Sequence, residues 1–258
     1  MAGNTGKPGT TVTARVLAVL DTFDQAHRVQ RLSEVASRAG LTLPTAHRLV
    51  KELVAGGVLE RRRDGRYVIG RKVWDLGLLA PLQTGLREVA SPFLHDIHAA
   101  TRASVHLAVR DGTAVLYVDR LAGHASVPVV SSVGSRLPMH ATGVGKVLLA
   151  YAPEPVQVAV LRDLPRITRR TITEPGRLRR DIARVRQVGF AETHEELSVG
   201  AHSVAVPVRN GKDRVVAALG VVVPDLKRDR DRLVAALQVA AQGIGRSVSP
   251  ALPPSGSA

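Results

Sequence analysis

Apolar residues in the first quarter of the chain recur at helical spacing in three blocks. Val12, Val16, Leu17, Leu20 and Phe23 predict a helix over 12–23. Leu32, Val35, Ala36 and Ala39 make a second stripe, and Ala46, Leu49, Val50 and Leu53 a third. Between these two, Gly40 is placed to end one helix, because glycine takes a left-handed backbone without steric cost. Ser33 is expected to cap the second helix, with Glu34 adding negative charge near its start. Thr42 is expected to cap the third, and Pro44 is tolerated in a first turn, where no backbone N–H partner is needed. Thr45, His47, Arg48 and Lys51 are left on the outer side of the third helix, and Gly56-Gly57 stops it. Two short helices around a tight turn, the second carrying donors, fit a helix-turn-helix. An ordinary helix pair with a solvated polar face shares that pattern.

The next segment, VLERRRDGRYVIG, changes the balance. Its apolar ends are strand-like, and Asp64-Gly65 is a tight-turn signal, so a hairpin is predicted with Arg61, Arg62, Arg63 and Arg66 near its tip. A basic hairpin directly after a recognition helix is the wing of a winged helix-turn-helix. Its arginines would reach flanking phosphates or the minor groove. With Ser33 and Thr42 beside the turn, these side chains are the expected DNA contacts. Residues 71–84 are too apolar for a solvated linker and predict an inter-domain helix covered by a second subunit. Pro81 should bend or end it. Leu86, Val89, Ala90, Phe93, Leu94 and Ile97 then mark a long amphipathic helix over 85–101.

Beyond residue 101 the period alternates between two and 3.6. Strand patterns flank Asp111-Gly112, 125–134 suggests a further strand, and a helix begins near Gly143. A short helix follows Pro153, and another with Leu178, Ile182 and Val185 inward stops at Gly189. Two strands meet around Asn210-Gly211, and a closing helix spans 230–248. Such alternation predicts an α+β domain with a mainly antiparallel sheet. The boundaries read as a disordered tail at 1–10, a winged helix-turn-helix at 11–72, a linker helix at 73–88, an α+β domain at 89–248 and a disordered tail at 249–258.

Composition narrows the function classes. The 258 residues carry a net charge of +14, and half of that excess falls in the first 72 residues, where the helix pair and hairpin lie. A concentrated basic segment is the electrostatic footprint of nucleic-acid binding. The 3% aromatic content argues against modules that stack single-stranded bases. With no cysteine there is neither a disulfide nor a thiol nucleophile. Residues 1–10 lack the apolar core of a signal peptide and no apolar run reaches spanning length, so a cytoplasmic, nucleoid-associated protein with no membrane contact is expected.

Taken together, GLTLPTAHRLVKEL, GRYVIGRKVWDLG, LREVASPFL, VHLAVRDGTAVLYVDR, SRLPMHATGVGKVLLA, RTITEPGRL and GAHSVAVPV, in this order, resemble the IclR family of bacterial transcriptional regulators over roughly 12–248. The resemblance implies a winged helix-turn-helix, a linker helix and a GAF-like effector-binding domain. It implies a homodimer, in some members a dimer of dimers, on double-stranded operator DNA, with a small organic effector and no cofactor. It also places the effector pocket at Leu137, His140, Gly143, Val144, Thr193, Ser203, Gly220 and Val222.

Family members that bind small keto acids tend to have an acid where Thr193 stands, a cysteine at Ser203 and serines at Gly220 and Val222. This chain is less polar there, which points to a larger or more apolar effector, such as an aromatic acid, or to a poorly liganded pocket. The turn departs from the family as well, since Leu43 and Pro44 stand where a basic and a small polar residue are common. No catalytic residue or metal site is expected. His140, His194 and His202 with Glu195 and Glu196 match no compact metal motif, and Ser203 lacks a nucleophile elbow.

Overall fold

The computed structural model describes residues 11–24, 26–78, 84–122, 131–227 and 229–248. The chain divides into two units, Met1–Leu82 and Gln83–Ala258.

In the first unit, α1 (Val12–Leu20) precedes α2 (Leu32–Arg38), α3 (Leu43–Ala55), the strands β1 (Leu59–Arg61) and β2 (Tyr67–Ile69), and α4 (Arg71–Leu78). Helix α2 ends with the geometry its glycine requires. Gly40 sits at φ +64°, its N–H bonds the carbonyl of Ser37, and the Leu41 N–H bonds that of Ala36. These two bonds satisfy carbonyls that a helix end otherwise leaves open. The same arrangement closes α3, with Gly57 at φ +72° and the N–H groups of Gly57 and Val58 on Val54 and Leu53. The buried face of α3 is Ala46, Leu49, Val50 and Leu53, and the last three pack with Val19, Val35, Leu59 and Tyr67 into one small core. Gly70 presses against the end of α3: a Cβ there would lie 2.3 Å from the Gly57 carbonyl oxygen. Only glycine lets the hairpin return so close. Gln30 extends the hairpin by exchanging two backbone hydrogen bonds with Tyr67.

Several expectations need correction. Helix α1 ends at Leu20. Val16, Leu20 and Phe23 of the expected stripe pack against the core beside the fully buried Val19, while Val12 and Leu17 remain 57% and 54% exposed. A nine-residue helix crosses the pair on one narrow face, here Val19 with Val16, Leu20 and Phe23. Ser33 does not cap α2. Arg31 holds the cap position, and its N–H is bonded by the Glu34 carboxylate at 2.6 Å, so Ser33 lies inside the first turn. Thr42 does occupy the cap of α3, but its hydroxyl donates to the Thr45 hydroxyl at 2.9 Å instead of accepting from the backbone. The expected linker helix falls on the end of α4 and the start of the next helix at Thr84, and 79–83, with Pro81, lies outside the described residues.

The second unit runs α5 (Thr84–Thr101), β3 (Ser104–Asp111), β4 (Ala114–Leu121), β5 (Arg136–Pro138), a short 3₁₀ turn (Met139–Ala141), α6 (Gly143–Ala150), α7 (Glu154–Arg162), α8 (Pro175–Val188), β6 (Ala191–His194), β7 (His202–Arg209), β8 (Val215–Val223) and α9 (Arg230–Ser247). The strands form one sheet in the order β5-β4-β3-β8-β7-β6, every neighbouring pair antiparallel. Alternation along each strand assigns its faces. Val105, Leu107 and Val109 of β3, with Val204, Val206 and Val208 of β7, meet Leu86, Leu94 and Ile97 of α5 and Leu237 and Ile244 of α9. Ala108, Ala205 and Ala218 face the other way, toward Val144, Val147 and Leu148 of α6 and Leu178 and Ile182 of α8. The sheet thus lies between two helical layers.

Strand β6 has no period-two apolar signal and forms as an edge paired only to β7. Of the strand expected over 125–134, residues 125–130 lie outside the described residues, and Ser131–Gly134 is a loop and turn with Gly134 at φ +85°. The tails expected to be disordered also lie outside them.

Candidate functional site

The outer side of α3 displays what the periodicity left over. His47, Arg48, Lys51 and Glu52 are exposed, as are Leu43 (51%) and Pro44 in the first turn, while Thr45 is half-buried beneath its bond from Thr42. Lys51 stands four residues after His47 and three after Arg48, so it shares one side of the helix with both. Ser33 is exposed at the start of α2.

In the hairpin, Arg62, Arg63 and Arg66 bracket the turn, and Arg61 ends β1. Asp64 binds Arg66 through its Nε at 2.9 Å and Nη2 at 2.7 Å, and Arg62 lies 4.0 Å away. The Arg66 guanidinium holds the Asp64 carboxyl below the ordinary 3.8. Arg61 and Arg63 make no ion pair among the described residues, so their charge faces outward. Exposed cations on a helix and an adjacent basic hairpin can neutralise phosphates and donate to base edges.

A second candidate site is a pocket, open to solvent at its mouth, between the sheet and the N-terminus of α6. Six of the eight positions inferred from the sequence line it: Gly143, Val144, Thr193, Ser203, Gly220 and Val222. Leu137 and His140 do not. Leu137 packs against the core on the α6 side, and His140 is buried with Nε2 3.1 Å from the Pro165 carbonyl oxygen. Burial pushes the His140 ring below the ordinary 6.5, so it serves as a neutral strut for the 3₁₀ turn.

Two glycines make the space. A Cβ on Gly143 would fall 2.6 Å from the Ser203 hydroxyl, and one on Gly220 would fall 3.0 Å from both Ala205 and Val144. Thr142 caps α6, its hydroxyl accepting from the Gly145 N–H at 3.2 Å and donating to the Pro138 carbonyl at 3.1 Å. The first amides of α6, with the Thr193–Ser203 hydroxyl pair 2.5 Å apart, form a donor-rich end suited to a carboxylate.

The opposite end of the cavity was missed by sequence reasoning. His106 stands there with the Ser131 hydroxyl 2.9 Å from its Nε2. The Tyr117 ring meets it edge to face with centroids 5.4 Å apart, while the Tyr117 hydroxyl reaches back to Thr142 at the α6 cap. Burial, reinforced by the nearby Arg120 charge, pushes His106 from 6.5 to about 3, so its imidazole is neutral. Burial likewise raises the Tyr117 hydroxyl, against a hydrogen bond to Thr142. A polar histidine inside the apolar run VHLAV was the available signal. Among the described residues, none that lines the cavity carries a charge.

Two walls of the cavity are tied together by a buried cation. Lys146 of α6 is 1% exposed and bonds Glu196 at 2.7 Å and Asp181 at 2.9 Å. Glu196 immediately precedes the lining residues Leu197 and Ser198. Its backbone carbonyl accepts from the Thr171 hydroxyl, and that of Glu195 from Thr168, both at 2.7 Å. Burial raises the Glu196 carboxyl above 4.5 although the Lys146 ammonium pulls it down.

Of the constellation weighed for metal, His194 and His202 face each other across β6 and β7 with Nδ1 atoms 3.2 Å apart, while His140 lies elsewhere. No group of three or more metal-ligating side chains forms among the described residues. No helix among them is long and apolar enough to cross a membrane.

Comparison with known proteins bears on both sites. The IclR helix-turn-helix domain model matches residues 12–63, and the bacterial transcriptional regulator IclR C-terminal model matches 81–246. The chain is 31% identical over 210 residues to the HTH-type transcriptional regulator XynR of Escherichia coli K12, covering 80% of this chain and 83% of that one. It is 30% identical over 216 residues to the regulator BhcR of Paracoccus denitrificans, covering 83% and 77%. Among solved structures, an IclR homolog from Microbacterium hydrocarbonoxydans complexed with 4-hydroxybenzoate superposes with a TM-score of 0.88 at 36% identity, over 92% of this chain and 98% of that one.

Proposed function

The chain belongs to the IclR family of bacterial transcriptional regulators, and on that premise we propose that α3 reads operator DNA while the cavity beneath α6 holds the effector that sets its affinity. The family's members are regulators rather than enzymes, built from a helix-turn-helix domain and a C-terminal ligand-binding domain. In this reading Arg48 and His47 donate to base edges in the major groove. Thr45 and Lys51 flank them, with Ser33 and Thr42 at the backbone beside the turn. Arg61, Arg62, Arg63 and Arg66 hold phosphates next to the groove.

The protein works as a homodimer, which pairs two copies of α3 and calls for a pseudo-palindromic operator. Support for pairing comes from large apolar side chains left in solvent on the first unit: Trp74 at 67%, Val12 at 57%, Leu76 at 56% and Leu17 at 54%. Two such dimers on one operator would make the dimer of dimers that the family resemblance implies.

The effector is a small aromatic acid with a single negative charge. The observation that carries this is the lining, charge-free among the described residues, with donors concentrated at the start of α6. A second anionic group would be stripped of water with no counter-ion, at a cost of several kcal/mol. A small keto acid would leave much of the apolar wall uncovered. The 4-hydroxybenzoate held by the Microbacterium homolog belongs to the same class of acid.

The DNA half of the reading is tested by salt dependence. Arg61→Ala with Arg63→Ala should weaken binding to operator and to unrelated duplexes alike. The slope of log K against log salt should become shallower by about 1 to 2, since each lost phosphate contact removes about 0.9. An unchanged slope in a fluorescence-anisotropy salt series would remove the wing from the interface.

A further inference from the structure

The cavity has two polar ends, and only one of them suits an anion. At the other, His106 is 3% exposed and held neutral, with Ser131 on Nε2. Its second ring nitrogen has no hydrogen-bonding partner among the described residues. A neutral imidazole presents one donor and one acceptor nitrogen, and a serine hydroxyl does both. Such a pair satisfies a hydroxyl group of either polarity but supplies no charge to a carboxylate. A ligand that closes the cavity and leaves that nitrogen unmatched incurs its desolvation cost, which turns the end of the cavity into a discriminator.

The sheet register sets the distance between the two ends. Ser203 pairs with Val222 on β8, Val222 pairs with Ser104 on β3, and His106 lies two residues further along β3. Two strand spacings and two residue rises separate their Cα atoms by about 12 Å. Gly220, paired with both His106 and Ala205, leaves the floor between the ends open. Val144, Val222 and Ala205 give that middle apolar walls. One benzene ring with substituents at opposite ends fits this sequence of anion site, apolar slot and neutral hydrogen-bonding site.

We propose that His106 and Ser131 determine effector specificity by reading a hydroxyl group opposite the carboxylate, so that the regulator answers to a para-hydroxylated aromatic acid. This inference rests on the assignment of the cavity as the effector site. It separates three acids of similar shape. Benzoate fills the slot but leaves His106 unmatched. Terephthalate brings a second charge to a neutral end. 4-Hydroxybenzoate matches both ends.

Isothermal titration of the full chain with these three acids tests the proposal, on wild type, His106→Phe and Ser131→Ala. Wild type should bind 4-hydroxybenzoate about 10-fold more tightly than benzoate, the ratio one well-made hydrogen bond supplies, and terephthalate most weakly. Either substitution should bring the 4-hydroxybenzoate to benzoate ratio toward 1 while benzoate binding persists. Ser131→Ala keeps the readout intact should the larger His106→Phe change disturb folding. A wild-type ratio near 1, or a ratio unmoved in both variants, overturns the role of His106 and Ser131 but leaves the cavity assignment standing. Wild type that binds none of the acids overturns both.

Discussion

Lys146→Ala should cost the second unit about 3–5 kcal/mol, the usual consequence of removing one partner from a buried charge pair. Lys146 is 1% exposed, and its ammonium is shared between Glu196, itself 6% exposed, and the half-exposed Asp181. Water can replace the lysine at Asp181 but reaches Glu196 poorly. One carboxylate oxygen of Glu196 already has no hydrogen-bond partner, so the loss of Lys146 leaves a desolvated anion. That carboxyl, raised by burial even in the wild type, would rise further.

A glutamate whose folded-state value is raised supports folding below its unfolded value and loses that support as the pH climbs through the raised one. The deficit of Lys146→Ala should therefore be largest at neutral pH and shrink on acidification toward the ordinary 4.5. Pairing Lys146→Met with Glu196→Leu should recover much of the loss, because an apolar pair removes the stranded charge. Urea denaturation at several pH values reads all of this. A loss below about 1 kcal/mol, or one independent of pH, would show that the pair is solvated. Since Lys146 also joins the two walls of the cavity, the single variant should bind effector more weakly as well.

Arg48→Ala is the second large effect, and it acts on recognition rather than stability. Arg48 is exposed on α3, while the neighbouring Leu49 and Val50 form the buried face. Truncating it removes no packing. Loss of a bidentate base contact costs about 1–3 kcal/mol, or about 5- to 150-fold in operator affinity, with little change on unrelated DNA. Lys51→Ala, by contrast, should act like a phosphate contact and lower the salt slope. If Arg48→Ala bound its operator as wild type does, α3 would not be the reading helix.

How far the sequence carried differs between elements, for physical reasons. Helix α3 was legible because its four apolar positions and terminating glycines both follow from helix geometry. Helix α1 was partly misread because nine residues offer two plausible apolar sides, and only packing decides that Val19 goes in while Val12 and Leu17 stay out. The cap at Arg31 was missed because Glu34 supplies it from inside the helix, where Ser33 looked the better cap.

In the second unit β3, β4, β7 and β8 read correctly. Strands β5 and β6 were not expected, and the strand expected over 125–134 is a loop and turn at its described end. Strands buried on both faces also lose the alternation that tells one face from the other. Thr193 and Ser203 were reached through the family resemblance, and His106, Tyr117 and Ser131 were not. They reach the cavity from β3, β4 and the loop after β4, and their meeting is long-range pairing that no local pattern encodes. His140 misled for the converse reason, since a histidine in a pocket-forming loop turned out to be bonded to the backbone behind it.

The most direct test of effector-controlled DNA recognition is one titration. Fluorescence anisotropy would follow the full-length protein binding a duplex from upstream of its own coding sequence, with and without saturating 4-hydroxybenzoate. A coupling of 1–3 kcal/mol between the two sites predicts a shift of about 5- to 150-fold in the DNA dissociation constant. Benzoate should produce a smaller shift at equal concentration, and Gly143→Ala, which places a methyl group against Ser203, should abolish the response while leaving effector-free DNA binding intact. Superimposable titrations with and without the acid, while the acid demonstrably occupies the cavity, would contradict the account.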